Sequence, residues 1–199
     1  MKTFLRSFWP PLLLSSAALL LAVLAPEEKT LGDGIRVVYV HVALTWTGML
    51  LLGGTALLGL AVVAVPRPAW AAFQRRLYGV ALAFFALGYG MSMLASLVNW
   101  GGVPIREPRF ITSMNVLVIG VIAWFLADLF ENPRLAGLLR AAPVLFLVWS
   151  VQTSTVVLHP ASAVNTAPPG IRYTFLGMFA IMLALAAWGL WPGARRAES

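Results

Sequence analysis

Two histidines, His41 and His159, are the side chains best suited to chemistry near neutral pH, because an imidazole can carry a proton or ligate a metal or haem iron. They lie in different apolar runs, each near the end of its run. A second concentration of polar residues, with Trp100, Arg106, Glu107, Arg109 and Phe110, fills positions 99–113 between two further apolar runs. Guanidinium groups offer planar forks to the carboxylates of an amphiphilic ligand, while Trp100 and Phe110 could cover its apolar face. Both groups also admit plainer readings: interfacial histidines bonded to water or a carbonyl, and loop arginines bound to lipid headgroups or to Glu107. Gln152, Thr153, Ser154 and Thr155 form a polar patch shortly before His159, suited to interhelical hydrogen bonds or to lining a wet cavity. Hydrolytic chemistry lacks its parts, since no Ser/His/Asp set, metalloprotease helix or phosphate-binding glycine loop is present. The absence of cysteine excludes disulfides, thiolate metal sites and covalent haem attachment.

The elements that position these residues follow from composition. In 199 residues, 60% are hydrophobic and 11% charged, more apolar surface than one soluble core could hide. Lipid must solvate most of it. Spanning the hydrocarbon layer takes about 20 helical residues, and apolar runs occur at about 8–25, 37–65, 77–98, 112–130, 138–158 and 173–191. The expectation is an all-α polytopic protein, one transmembrane domain of six helices over residues 1–199. The first run follows Lys2 and Arg6 as a signal peptide would, but Pro26-Glu27-Glu28 replaces the small residues of a cleavage site, and the run is long enough to span. Pro10 and Pro11 are expected in its first turn, and Thr112 or Ser113 as the cap of the fourth helix. Asp128, at the end of the fourth run, is expected to pair with Arg134 or face water.

Net charge is +7, which in a soluble protein would point to nucleic acid. Here the basic residues cluster at the ends of apolar runs, where the positive-inside rule accounts for them and no nucleic-acid partner is implied. One side carries nine, Lys2, Arg6, Arg67, Arg75, Arg76, Arg134, Arg140, Arg195 and Arg196; the other carries five, Lys29, Arg36, Arg106, Arg109 and Arg172. Both termini are therefore expected in the cytoplasm. His41, His159 and residues 99–113 then share the outer face.

Several stretches resemble the haem-handling membrane proteins of cytochrome c maturation, the CcmC/CcsA type. Ile35-Arg36-Val37-Val38-Tyr39-Val40-His41-Val42 is similar to the helix carrying that family's first haem ligand. Trp100-Gly101 and Arg109-Phe110-Ile111-Thr112-Ser113 resemble the two ends of its tryptophan-rich outer loop, Arg134-Leu135-Ala136-Gly137 the turn before its fifth helix, and Gly170-Ile171-Arg172-Tyr173-Thr174-Phe175-Leu176-Gly177 the entry to its sixth. The loop departs from the family in keeping only Trp100, with Val103, Pro104, Ile105, Arg106 and Glu107 where aromatics and an acid belong. His159 falls about a turn beyond the second ligand position, which lies closer to Thr155.

The resemblance implies a multi-pass protein of the bacterial inner membrane that binds haem b through His41 and His159, with Trp100, Glu107 and Arg109 on the covering loop. It implies a haem carrier rather than an enzyme, presenting haem to a periplasmic acceptor alongside other maturation subunits and surrounded by membrane lipid. The alternative is a diverged member that transfers no haem and serves as a structural or assembly subunit of a larger membrane complex.

Overall fold

Backbone that enters lipid has no water to bond, so apolar runs of this length fold as helices that satisfy their own N–H and C=O groups. The computed structural model describes residues 2–153 and 167–191, with side chains from Phe8 onward. Among these residues there are six helices and no strand: α1 (Lys2–Leu24), α2 (Ile35–Ala64), α3 (Pro68–Trp100), α4 (Pro108–Leu129), α5 (Pro133–Thr153) and α6 (Pro169–Leu190). The five from α2 to α6 are long and apolar enough to cross a membrane, and α1 contributes the shorter apolar stretch Phe8–Leu24. The protein is thus an all-helical multi-pass membrane protein. At 1.5 Å per residue, α2 (30 residues) and α3 (33 residues) are about 45 and 50 Å long, well beyond a roughly 30 Å hydrocarbon layer, so they tilt or protrude.

Four helices begin on a proline and start earlier than hydropathy places them. Pro68, Pro108, Pro133 and Pro169 each open a helix, where the missing N–H is one the helix could not have used. Arg75 and Arg76, expected in a loop, are consequently inside α3. Thr112 and Ser113 are inside α4, whose N-cap is Glu107. At α5 the Asn132 side-chain oxygen accepts hydrogen bonds from the N–H of Arg134 and Leu135. Pro10 and Pro11 lie inside α1 rather than in its first turn, because α1 starts at Lys2.

Helix α2 is the hub. On one side it packs with α1 and α6 through Ala18, Ala22, Tyr39, Ala43, Phe175, Met178 and Met182. On the other, Leu52 joins Tyr78, Ala81 and Phe85 of α3 and Val116 and Ala123 of α4 in a second core. Lipid offers no hydrophobic drive between helices, so close backbone approach and interhelical hydrogen bonds hold the bundle. Gly48 shows the first: a Cβ there would sit 2.6–2.8 Å from the Phe85 backbone and Cβ. Gln74 shows the second, its fully buried amide donating to the carbonyls of Thr55 and Gly137, both at 3.2 Å, and so tying α3 to α2 and α5. Nearby, the buried Tyr78 hydroxyl donates to Gly120 O of α4 at 2.8 Å.

The expected pairing of Asp128 is corrected. Its carboxylate, though exposed to water as expected, pairs not with Arg134 but with Arg75 of α3 at 2.6 Å and Arg140 of α5 at 3.0 Å. With α3 beginning at Pro68, Arg75 comes level with the end of α4.

Candidate functional site at the His41 end

His41 stands in the second turn of α2 and is half-buried. Its Nδ1 lies 2.9 Å from the Gly88 carbonyl oxygen of α3, with Thr45 Oγ1 3.4 Å away one turn along α2. A carbonyl oxygen only accepts, so Nδ1 carries a proton and donates it to Gly88 O. A carbonyl that fixes one ring nitrogen in this way also fixes the plane of the imidazole, the arrangement that orients metal-ligating histidines. Gly88 makes the approach attainable: a Cβ on it would meet Thr45 Oγ1 at 2.6 Å and Thr45 N at 2.8 Å.

Two connections close the same end of the bundle. After α3, Gly101 adopts a left-handed conformation (φ 72°), and its N–H returns to Leu97 O at 3.0 Å, a turn that suits glycine. The chain then tightens through Ile105 N–H to Val103 O and Glu107 N–H to Pro104 O, both 2.9 Å, before entering α4. Just before the turn, Asn99 Nδ2 donates to Ala95 O (2.8 Å) in its own helix and to Gly34 O (3.2 Å) at the start of α2. This amide latches the end of α3 to the entry of the His41 helix. The ring of Phe110 packs against Tyr89 with centroids 4.8 Å apart, joining α4 to α3.

The α1–α2 connection is ordered by its own charges. Glu28 Oε2 accepts from the N–H of Thr30 (2.7 Å) and Leu31 (2.9 Å), while Gly32 N–H bonds to Glu28 O at 2.7 Å. These backbone donors, Leu31 foremost and then Thr30, hold the Glu28 carboxyl below its ordinary pKa. Arg36 pairs with Asp33 at 2.6 Å and more distantly with Glu27 at 3.9 Å, and the buried Tyr39 hydroxyl donates to Pro26 O at 3.0 Å.

The residues singled out in the sequence are distributed as follows. His41, Trp100, Glu107 and Arg109 all lie at this end of the bundle. Trp100 is 60% exposed and Glu107 only 5%, so the acid is turned into the fold while the indole faces outward. Arg109 is half-buried in the first turn of α4, and Arg106 is exposed. His159, with Ser154 and Thr155, lies outside the described residues; Gln152 and Thr153 are exposed, and Thr153 Oγ1 bonds back to Trp149 O at 2.9 Å. Among the described residues no group of three or more acidic or histidine side chains could hold a metal ion. An apolar groove of about 250 Å³ opens between α1, α2 and α6, lined by Ala18, Leu19, Ala22, Val40 and Met182 among others; His41 is not part of it.

The sequence marks His41 by type and Asn99 as the start of the polar stretch, but not Thr45 and Gly88, which meet the His41 ring. Thr45 is legible from its i, i+4 spacing to His41; Gly88 is a tertiary neighbour with no local signal. No protein-family model and no curated protein matches the chain.

Proposed function

We propose that this protein binds and presents haem b at the outer face of a bacterial inner membrane, with six spans and both termini in the cytoplasm. The observation that carries the reading is the His41 Nδ1–H bond to Gly88 O at 2.9 Å. It fixes the plane of the imidazole, as ring N–H bonds to carbonyls do for haem- and metal-ligating histidines, and this supports the reading. Haem b, when bound, would supply an iron that takes imidazole nitrogen and two carboxylates that need cationic partners. His41 would hold the iron as first ligand, with His159 the proposed second. Arg109 is the guanidinium suited to a carboxylate, and the connection at 101–107, with Trp100 at its start, lies at the same end of the bundle as His41. The protein's own groups carry out no bond-making; they hold the cofactor for transfer to a periplasmic acceptor, with other maturation subunits as partners in the membrane.

The test is a reduced-minus-oxidised spectrum of protein produced with ample haem supply, compared with His41→Ala and His159→Ala. A haem spectrum in the parent protein that is lost in His41→Ala supports the reading. One observation favours the second reading, a structural or assembly subunit: Glu107 is 95% buried in a lid with one tryptophan, so the acid serves the fold of the connection. Protein that stays free of haem under those conditions would assign it that role.

A further inference from the structure

The end of the bundle opposite His41 carries a charge arrangement that haem handling does not use. Asp128 at the end of α4 accepts from Arg75 Nη2 of α3 through Oδ2 (2.6 Å) and from Arg140 Nη2 of α5 through Oδ1 (3.0 Å). Two guanidinium groups thus share one carboxylate, leaving the triad with a net charge of +1. Arg140 is the buried member, with a side chain 5% exposed, and its Nε has no hydrogen-bond partner. A cation this far from water requires opposite charge, and among the described residues Asp128 is the acid paired with it.

The triad is open to its surroundings at Arg75 and Asp128 and closed at Arg140. Arg75, 57% exposed, carries its guanidinium over the face of Trp124, 5.9 Å from the ring centroid. Around it, this end of the described bundle holds Arg67, Arg75, Arg76, Arg134 and Arg140 against Asp128 and Glu131, five cations to two acids. On the adjoining turns of α4, Phe125 and Leu129 are exposed and apolar. A guanidinium at the membrane boundary, an indole beside it and an apolar track leading into the bilayer match a ligand with an anionic head and a hydrocarbon tail.

We infer that Arg75, backed by the buried charge of Arg140, is the centre of a binding site for the phosphate of an anionic phospholipid, with the acyl chains lying along α4 at Phe125 and Leu129. The phosphate sits on the exposed edge of Arg75, because Arg140 Nε is sealed from solvent. Asp128 keeps the two guanidinium groups in place, and the lipid completes their neutralisation.

The test is thermal unfolding of the full-length protein in neutral detergent with added phosphatidylglycerol, phosphatidylcholine or inorganic phosphate. Phosphatidylglycerol is expected to raise the midpoint saturably, and the other two are not. Arg75→Gln is expected to weaken the apparent phosphatidylglycerol affinity by about fivefold, the loss of one basic residue at a membrane surface, and Arg75→Lys to weaken it less. Arg172→Gln, exposed at the opposite end, serves as the control that keeps the full response. The proposal is overturned by an equal shift with phosphatidylcholine, by a shift with inorganic phosphate alone, which would make this a free-anion site, or by Arg75 variants that bind phosphatidylglycerol as tightly as the parent. Should Arg75→Gln fail to fold, Arg75→Lys carries the comparison alone.

Discussion

Replacing Gly88 by alanine tests how His41 is held. The new Cβ would stand 2.6 Å from Thr45 Oγ1, 2.8 Å from Thr45 N and 3.0 Å from Thr45 Cα. Two of these atoms are backbone, so a rotamer change cannot relieve the clash. Restoring an ordinary 3.4 Å contact from 2.6 Å opens the α2–α3 interface by about 0.8 Å, which would carry the 2.9 Å His41–Gly88 bond to about 3.7 Å, beyond hydrogen-bond range. The expected cost is about 1–3 kcal/mol for overpacking and about 1 kcal/mol for the lost hydrogen bond. Gly90→Ala is the matched control, since nothing lies within 4 Å of a Cβ there and alanine favours a helix over glycine by about 1 kcal/mol. Unfolding in detergent gives the stability of each variant, and ¹⁵N NMR of the imidazole gives its tautomer. Gly88→Ala protein as stable as Gly90→Ala, with Nδ1 still uniformly protonated, would refute the packing argument.

Three further outcomes are expected. Asp128→Asn should destabilise the protein by about 3 kcal/mol, because the 5% exposed Arg140 side chain loses the carboxylate paired with it, with Asp128→Glu recovering part of it in the same unfolding assay. Asn99→Ala removes the latch between Ala95 O and Gly34 O; a loss of about 1 kcal/mol and faster amide exchange at the start of α2 are expected, and unchanged exchange would show that the latch holds nothing. For Glu28 the folded pKa lies below its unfolded value of 4.5, so its contribution is present above pH 4.5 and is lost as pH falls through the lower folded value. Protection of the Thr30 and Leu31 amides should decline on acidification across that window, and Glu28→Gln should abolish the dependence.

Apolar runs alone locate the helices, but not where they begin. Hydropathy places the starts of α3, α4, α5 and α6 at about 77, 112, 138 and 173, whereas the helices open at Pro68, Pro108, Pro133 and Pro169. Proline in lipid-facing sequence reads as a stop, yet at a first helical position it starts a helix without loss. The error mattered at Arg75 and Gln74, which are helical and which tie α3 to its neighbours. Arg140 was a legible signal, since a cation inside an apolar run needs a partner; its partner Asp128 was not, because only the α4–α5 turn and the early start of α3 bring the three charges together. At the other end, His41 stands out by chemistry. Its support does not, because Gly88 contributes a main-chain carbonyl that no side-chain pattern reports.

The most direct test of the account is the haem content of purified protein, read as a haemochrome spectrum, for the parent, His41→Ala, and His41→Gly supplemented with free imidazole. Haem is expected in the parent, lost in His41→Ala, and restored in His41→Gly when imidazole replaces the missing ligand. Haem retained at parental levels in His41→Ala, or absent from the parent despite ample supply, would contradict it.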